Sequence, residues 1–124
     1  MIVAVDFDGV LVEDQFPNIG PPKASVVNSL WWAMKQTDTE FILWTSRVDD
    51  RLQEALDWCE QYNLTFTAVN AGAPSNLGQY GTDPRKIYAD KYLDDRSIGY
   101  TDKKAVTFLN NLVRMSEMED DNNG

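Results

Sequence analysis

Apolar residues fall along the chain in short unbroken runs, separated by stretches with helical spacing. Ile2, Val3, Ala4 and Val5 form a run that stops at Asp6, the pattern of a strand buried on both faces rather than one alternating with solvent. Phe41, Ile42, Leu43 and Trp44 repeat the pattern up to Thr45, residues 66–69 give a third short strand, and Lys91, Tyr92 and Leu93 a weaker fourth that stops at Asp94. Between the first two runs, Val26, Val27, Leu30, Trp31 and Met34 share one side of a helix over about residues 23–36, with Pro22 near a first-turn position. Leu52, Leu56 and Cys59 recur at i, i+4 and i+7 on a second helix that runs to about residue 62, with Asp50 as its expected cap and Gln53 as capping-box partner. Ala105, Phe108, Leu109 and Leu112 mark a last helix, capped by Thr101 or Asp102 and ending near residue 112. Two stretches read as loops, QFPNIGPP before the first helix and NAGAPSNLGQYGTDP after the third strand. Residues 117–124 are expected to be an acidic disordered tail, which leaves one domain over residues 1–116.

Strands alternating with helices at this spacing imply right-handed βαβ crossovers. The expected fold is therefore a small doubly wound α/β domain, a parallel sheet with helices on both faces. In such sheets ligands sit outside the carboxyl ends of the strands, where the strand order reverses. Those ends carry Asp6-Phe7-Asp8-Gly9, Thr45-Ser46-Arg47 and Asp94-Asp95-Arg96, with Lys86 a few residues before the last strand. A D-x-D, a strand-end Thr or a single Lys is ordinary turn, cap or surface chemistry when met alone; their placement at one sheet edge in one chain is what points to a site.

Composition narrows the chemistry. A chain of 124 residues with 43% apolar and 25% charged residues can bury a core of its own without staples. The absence of histidine excludes Ser-His-Asp and Cys-His catalysis, an imidazole base and any histidine metal site, and the lone Cys59 can build neither an internal disulfide nor a thiolate zinc site. Carboxylates, hydroxyls, Lys and Arg must do any chemistry. A net charge of −9 argues against non-specific nucleic-acid binding. Arg47, Arg85, Lys86, Lys91 and Arg96 nevertheless lie in or beside the motif loops and can present a positive rim to an anion. Trp32 cannot fully share the face of Trp31 and is expected to be exposed or at an interface. With no leader-like start and no apolar run near the roughly 20 residues of a membrane span, a cytoplasmic, reducing setting with no membrane partner is expected.

The constellation resembles the haloacid dehalogenase-like (HAD) superfamily, whose four motifs are a strand ending D-x-D-G, a strand ending in Thr or Ser, a Lys upstream of the last motif, and a strand ending in paired acids. Here they read VDFDGV, FILWTSR, Lys86 within DPRKIYAD, and YLDDR, over about residues 1–100. WTSR, the Trp58-Cys59 pair and the run from RKIYAD to LDDR are similar to small capless members of bacteria and phages. The resemblance implies a Mg²⁺-dependent phosphatase or phosphotransferase acting through an aspartyl-phosphate. Asp6 would be the nucleophile, Asp8 the acid and base, and Thr45 and Lys86 the catalytic groups on the phosphoryl oxygens, with Thr45, Ser46, Arg47 and Lys86 binding substrate. Asp6, the Asp8 carbonyl and Asp94 would hold Mg²⁺, with Asp95 behind these ligands or as an alternate partner of the ion. Asp8 favours phosphoryl over halide chemistry, because a departing halide needs no proton. Neither position at which the superfamily inserts a cap domain has room for one, so an open site and a large or polymer-borne phosphorylated substrate are expected, and homo-oligomerisation is one way to supply a lid. Two other readings stay open: a nucleotide or polynucleotide-end phosphatase, and a non-catalytic metal-binding interaction protein on the same scaffold. The receiver domains of response regulators, which also phosphorylate an Asp, fit less well, because the third strand here ends in Val69-Asn70.

Overall fold

A computed structural model of the chain describes residues 1–123, with side chains placed as far as Glu119. Strand β1 (Ile2–Val5) is buried along its whole length and pairs in parallel with β4 (Glu40–Leu43) on one side and β6 (Lys91–Leu93) on the other. β5 (Ala68–Val69) extends the sheet beyond β4, giving the order β5-β4-β1-β6. β1 is central because its neighbours on both sides satisfy its backbone and both its faces meet apolar side chains.

Handedness explains which elements cover which face. The chain steps from β1 to β4 through α1 (Ala24–Gln36) and from β4 to β5 through α2 (Asp49–Gln61), two moves in one direction that put both helices on one face. The step from β5 back across the sheet to β6 reverses direction, so its connection, including the short α3 (Pro74–Tyr80), covers the opposite face. α4 (Asp102–Asn123) returns to pack along α1. The two faces of β1 accordingly enter two cores. Val3 and Val5 join Val26, Leu30, Ala55, Leu109 and others under α1, α2 and α4. Ile2 and Ala4 join Ile42, Ala73, Ile87 and Ala89 on the other face. This is the expected doubly wound α/β fold with helices on both faces.

Several local expectations are revised. QFPNIGPP is no loop: it completes an antiparallel ribbon of β2 (Val12–Gln15) and β3 (Asn18–Pro22), which stands beside the main sheet. NAGAPSNLGQYGTDP contains α3, begun by a Pro in the first turn and closed by Gly81 in the left-handed region at φ 79°. Asp50 does not cap α2; the cap position is Val48, with no side-chain bond, and Asp49 takes φ 50°. Gln53 donates to Asp57 one turn on. Thr101 does cap α4, accepting the Lys104 N–H. α4 does not stop at residue 112 but continues to Asn123 through the segment expected as a tail, and Ser116 donates to the Gln36 carbonyl at the end of α1. Gly124 lies outside the described residues. Trp32 is 51% exposed, as its position beside Trp31 requires. Among the described residues no helix is long and apolar enough to cross a membrane.

Candidate active site

The strand order reverses at β1, and the cavity lies at the carboxyl ends there. It encloses about 490 Å³ and is lined by Asp6, Asp8, Thr45, Arg47, Asp94, Asp95 and neighbours on the same loops, with Asp14 and Phe16 from the hairpin. A second cavity of about 460 Å³, between α3 and the amino end of β1, has no carboxylate, amine or guanidinium in its lining.

Asp6 follows β1 directly. Its side chain turns to the cavity while Phe7 turns into the core, where it meets Trp58 edge-on at 5.4 Å. Asp6 Oδ1 accepts the Phe7 N–H at 2.8 Å. One oxygen from each of Asp6, Asp94 and Asp95 lies within 4.8 Å of the others. Such crowding of half-buried acids opposes ionisation: burial first, then Asp94 and Asp95, push the Asp6 carboxyl from its ordinary 3.8 up to about 8. Three hard oxygen donors facing one another, in a place where their charges repel, fit a divalent cation of the Mg²⁺ kind. Asp95 stands with Asp6 and Asp94 in the cluster.

Gly9 makes this packing possible. Its φ of +91° suits glycine, and a Cβ there would collide with the Asp95 carboxylate. The Lys23 ammonium donates to the Gly9 carbonyl at 2.8 Å and pairs with Asp102 at 3.2 Å, tying the loop to the starts of α1 and α4.

Thr45 lies two residues beyond the end of β4, and two contacts fix it. Its N–H donates to the side chain of Asn70 at 2.8 Å, and its hydroxyl accepts the Arg47 N–H at 3.1 Å. Asn70 itself takes φ 51°, a region Asn tolerates. Ser46 is exposed on the cavity rim. Asp8 also lines the cavity, but Arg47 grips it. Arg47 Nε reaches Asp8 Oδ2 at 2.7 Å and Nη2 reaches Oδ1 at 2.8 Å, a bidentate pair around a guanidinium only 1% exposed. That pair raises the already high pKa of Arg47 further.

Arg47, expected to bind substrate, is therefore committed inside the protein. Lys86, expected at the phosphoryl group, is not brought to the cavity. Asp90 exchanges hydrogen bonds with Ile2 at the amino end of β1, which holds the preceding loop along the sheet face, and the Lys86 ammonium lies 5.6 Å over the Tyr92 ring. Arg85 and Lys91 are exposed outside the cavity lining. The cation on the rim is Arg96, 80% exposed and 3.7 Å from Asp14 of the hairpin. Sequence reasoning missed Asp14 and Trp44 as site neighbours. For Trp44, position at a strand end was an available signal; for Asp14, none was without the hairpin.

No family model and no curated protein matches the chain. Among solved structures, it is similar to a conserved protein from Bacteroides thetaiotaomicron, at 32% identity and a TM-score of 0.73, over 96% of this chain and 91% of that one.

Proposed function

This chain belongs to the same family as the conserved Bacteroides thetaiotaomicron protein, and from the site that this scaffold carries we propose that it is a Mg²⁺-dependent phosphomonoester hydrolase of the capless HAD type. The observation that carries the reading is the meeting of Asp6, Asp94 and Asp95 at the strand-order reversal, in one cavity with Thr45 and Asp8. A phosphomonoester dianion repels an anionic nucleophile, so positive charge must be supplied before a carboxylate can attack. Asp6, Asp94 and the Asp8 carbonyl would hold the ion, with Asp95 beside them, and the bound cation supplies that charge and favours the ionised form of Asp6.

Asp6 attacks phosphorus and forms an aspartyl-phosphate, dividing one difficult displacement into two easier ones. Asp8 passes a proton to the departing oxygen and then takes one from the incoming water. Each Asp8 oxygen accepts one Arg47 N–H, which leaves a second lone pair for these partners. Thr45, whose N–H is held by Asn70 and whose hydroxyl accepts the Arg47 N–H, donates its hydroxyl proton to a phosphoryl oxygen. Arg96 is the rim cation we assign to phosphate charge, since an exposed pair at 3.7 Å exchanges readily with a ligand. A cytoplasmic setting is part of the proposal, supported by the free, buried Cys59.

The intervals at which caps are inserted hold only the β2–β3 ribbon and the α2–β5–α3 passage, so the leaving group meets few walls. Phe16 and Trp44 line the same cavity as the carboxylates, which favours substrates whose leaving group carries a ring and keeps the nucleotide or polynucleotide-end reading in view. The test is hydrolysis of p-nitrophenyl phosphate with and without Mg²⁺. We expect turnover that EDTA abolishes and that Asp6→Asn loses. Binding of Mg²⁺ with no turnover of any phosphomonoester would favour the non-catalytic reading instead.

A further inference from the structure

The site contains one group that its chemistry has not used. Arg47 is buried to 1% exposure at the mouth of an otherwise open cavity, an expensive place for a guanidinium unless every donor is met. All five N–H donors are met, and none by solvent. Besides the two bonds to Asp8, Nη1 donates to the carbonyls of Pro17 at 3.3 Å and Arg51 at 3.4 Å, and Nη2 to that of Asn18 at 3.1 Å. The guanidinium carbon also lies 5.3 Å from the Phe7 ring and 5.2 Å from the Phe16 ring. Three segments therefore converge on one planar group: the loop after β1, the tip of the β2–β3 hairpin and the first turn of α2.

We propose that Arg47 is a positioning residue and not a phosphate ligand: it holds the Asp8 carboxylate and the hairpin tip in one fixed arrangement, so that proton transfer at the leaving oxygen is aligned. The proposal rests on the phosphatase reading for its catalytic consequence. With no donor free, Arg47 cannot take a phosphoryl oxygen without surrendering a bond that is already made. The fork geometry also explains why lysine would not serve, since an ammonium has neither the paired parallel donors for Asp8 nor a flat face for Phe16. Phe16, 58% exposed, is held at the cavity edge by that face.

Two measurements test this. Arg47→Lys is compared with the parent on an alkyl phosphomonoester, whose alkoxide needs a proton to leave, and on 2,4-dinitrophenyl phosphate, whose phenolate does not. We expect kcat on the alkyl ester to fall roughly 100-fold, the scale of a lost general acid, with KM held within about twofold and the dinitrophenyl ester within about fivefold. Arg47→Lys should add little once Asp8→Asn is present, because both changes remove the same aligned group. A raised KM with kcat intact would make Arg47 a phosphate ligand, and equal losses on both esters would make it a structural residue only; either result overturns the proposal. The second measurement needs no variant. Phenylglyoxal should modify Arg96 in the native parent while leaving Arg47 untouched, and modification of Arg47 at the rate of Arg96, or its protection by inorganic phosphate, would overturn the assignment. A parent that turns over no phosphomonoester yet shields Arg47 from phenylglyoxal would count against the phosphatase reading while leaving the clamp in place.

Discussion

Replacing Asp6 by Asn should stabilise the cation-free protein and remove its activity together. The Asp6 carboxyl is raised from 3.8 to about 8 by burial and by the acids beside it. In the unfolded chain it ionises near its ordinary value, so between about pH 4 and 8 the folded state holds a proton that the unfolded state has released. Unfolding free energy must then fall as pH rises across that window. Each decade is worth about 1.4 kcal/mol, and the stretch from 3.8 to neutrality sets a ceiling of about 4 kcal/mol. Asp6 is only half-buried, and solvent screening reduces the usable part to about 1–2 kcal/mol. Asn keeps the shape and has no charge to lose, so urea unfolding in EDTA at pH 7 should show Asp6→Asn more stable by that amount, about 5 °C in Tm for a chain of this size. At pH 5 the gap should shrink. Saturating Mg²⁺ should reverse the order, because the parent gains binding free energy, about 2.7 kcal/mol at a hundredfold excess over Kd, that the amide mostly forgoes. A variant less stable than the parent in EDTA at pH 7, or a gap indifferent to pH, would refute the reasoning.

Three further outcomes follow from the same geometry. Asp94→Asn should lose most of the Mg²⁺-dependent rise in Tm seen in the parent, and an equal rise in both proteins would remove Asp94 from the ion site. Gly9→Ala should cost about 1–3 kcal/mol from its φ of +91° alone and should also weaken Mg²⁺ binding by displacing Asp95; urea unfolding and metal titration read the two effects separately. Phe16→Ala, at an exposed hairpin tip, should change stability by less than about 1 kcal/mol while raising KM several-fold for aryl esters more than for alkyl ones, and a uniform change across substrates would deny it a place beside the leaving group.

What the sequence disclosed follows from where the free energy of each element comes from. β1 and β4 were readable because strands buried on both faces need continuous apolar runs, and Ile2 to Val5 and Phe41 to Leu43 supply them, Val3, Val5, Phe41 and Leu43 to one core and Ile2, Ala4 and Ile42 to the other. The hairpin was not, because β2 buries only Val12 and β3 only Gly20, and a ribbon written NIGPP has the composition of a turn. α3 buries no residue of its own, so it carries no apolar period to read. The end of α4 was misplaced for a related reason: beyond Leu112 only Val113 still packs on the core, the chain turns polar at Arg114, Ser116 and Glu117, and the helix continues by packing along α1. The carboxylate cluster was visible because strand ends in a doubly wound sheet converge by topology. The Arg47–Asp8 pair was not, since it joins residues 39 apart through tertiary contacts that no local pattern encodes. Lys86 was misjudged on order along the chain, whereas its place is decided by how Asp90 pins the loop to the amino end of β1.

The account depends most on Asp6 becoming phosphorylated. Rapid quenching of the enzyme during turnover of p-nitrophenyl phosphate with Mg²⁺, followed by borohydride, reduces an acyl phosphate to an alcohol and marks the residue for peptide mass spectrometry. The expected mark falls on Asp6 alone, requires both substrate and Mg²⁺, and is absent from Asp6→Asn. Sustained turnover with Asp6 unmarked, or a mark on another carboxylate, would contradict the mechanism.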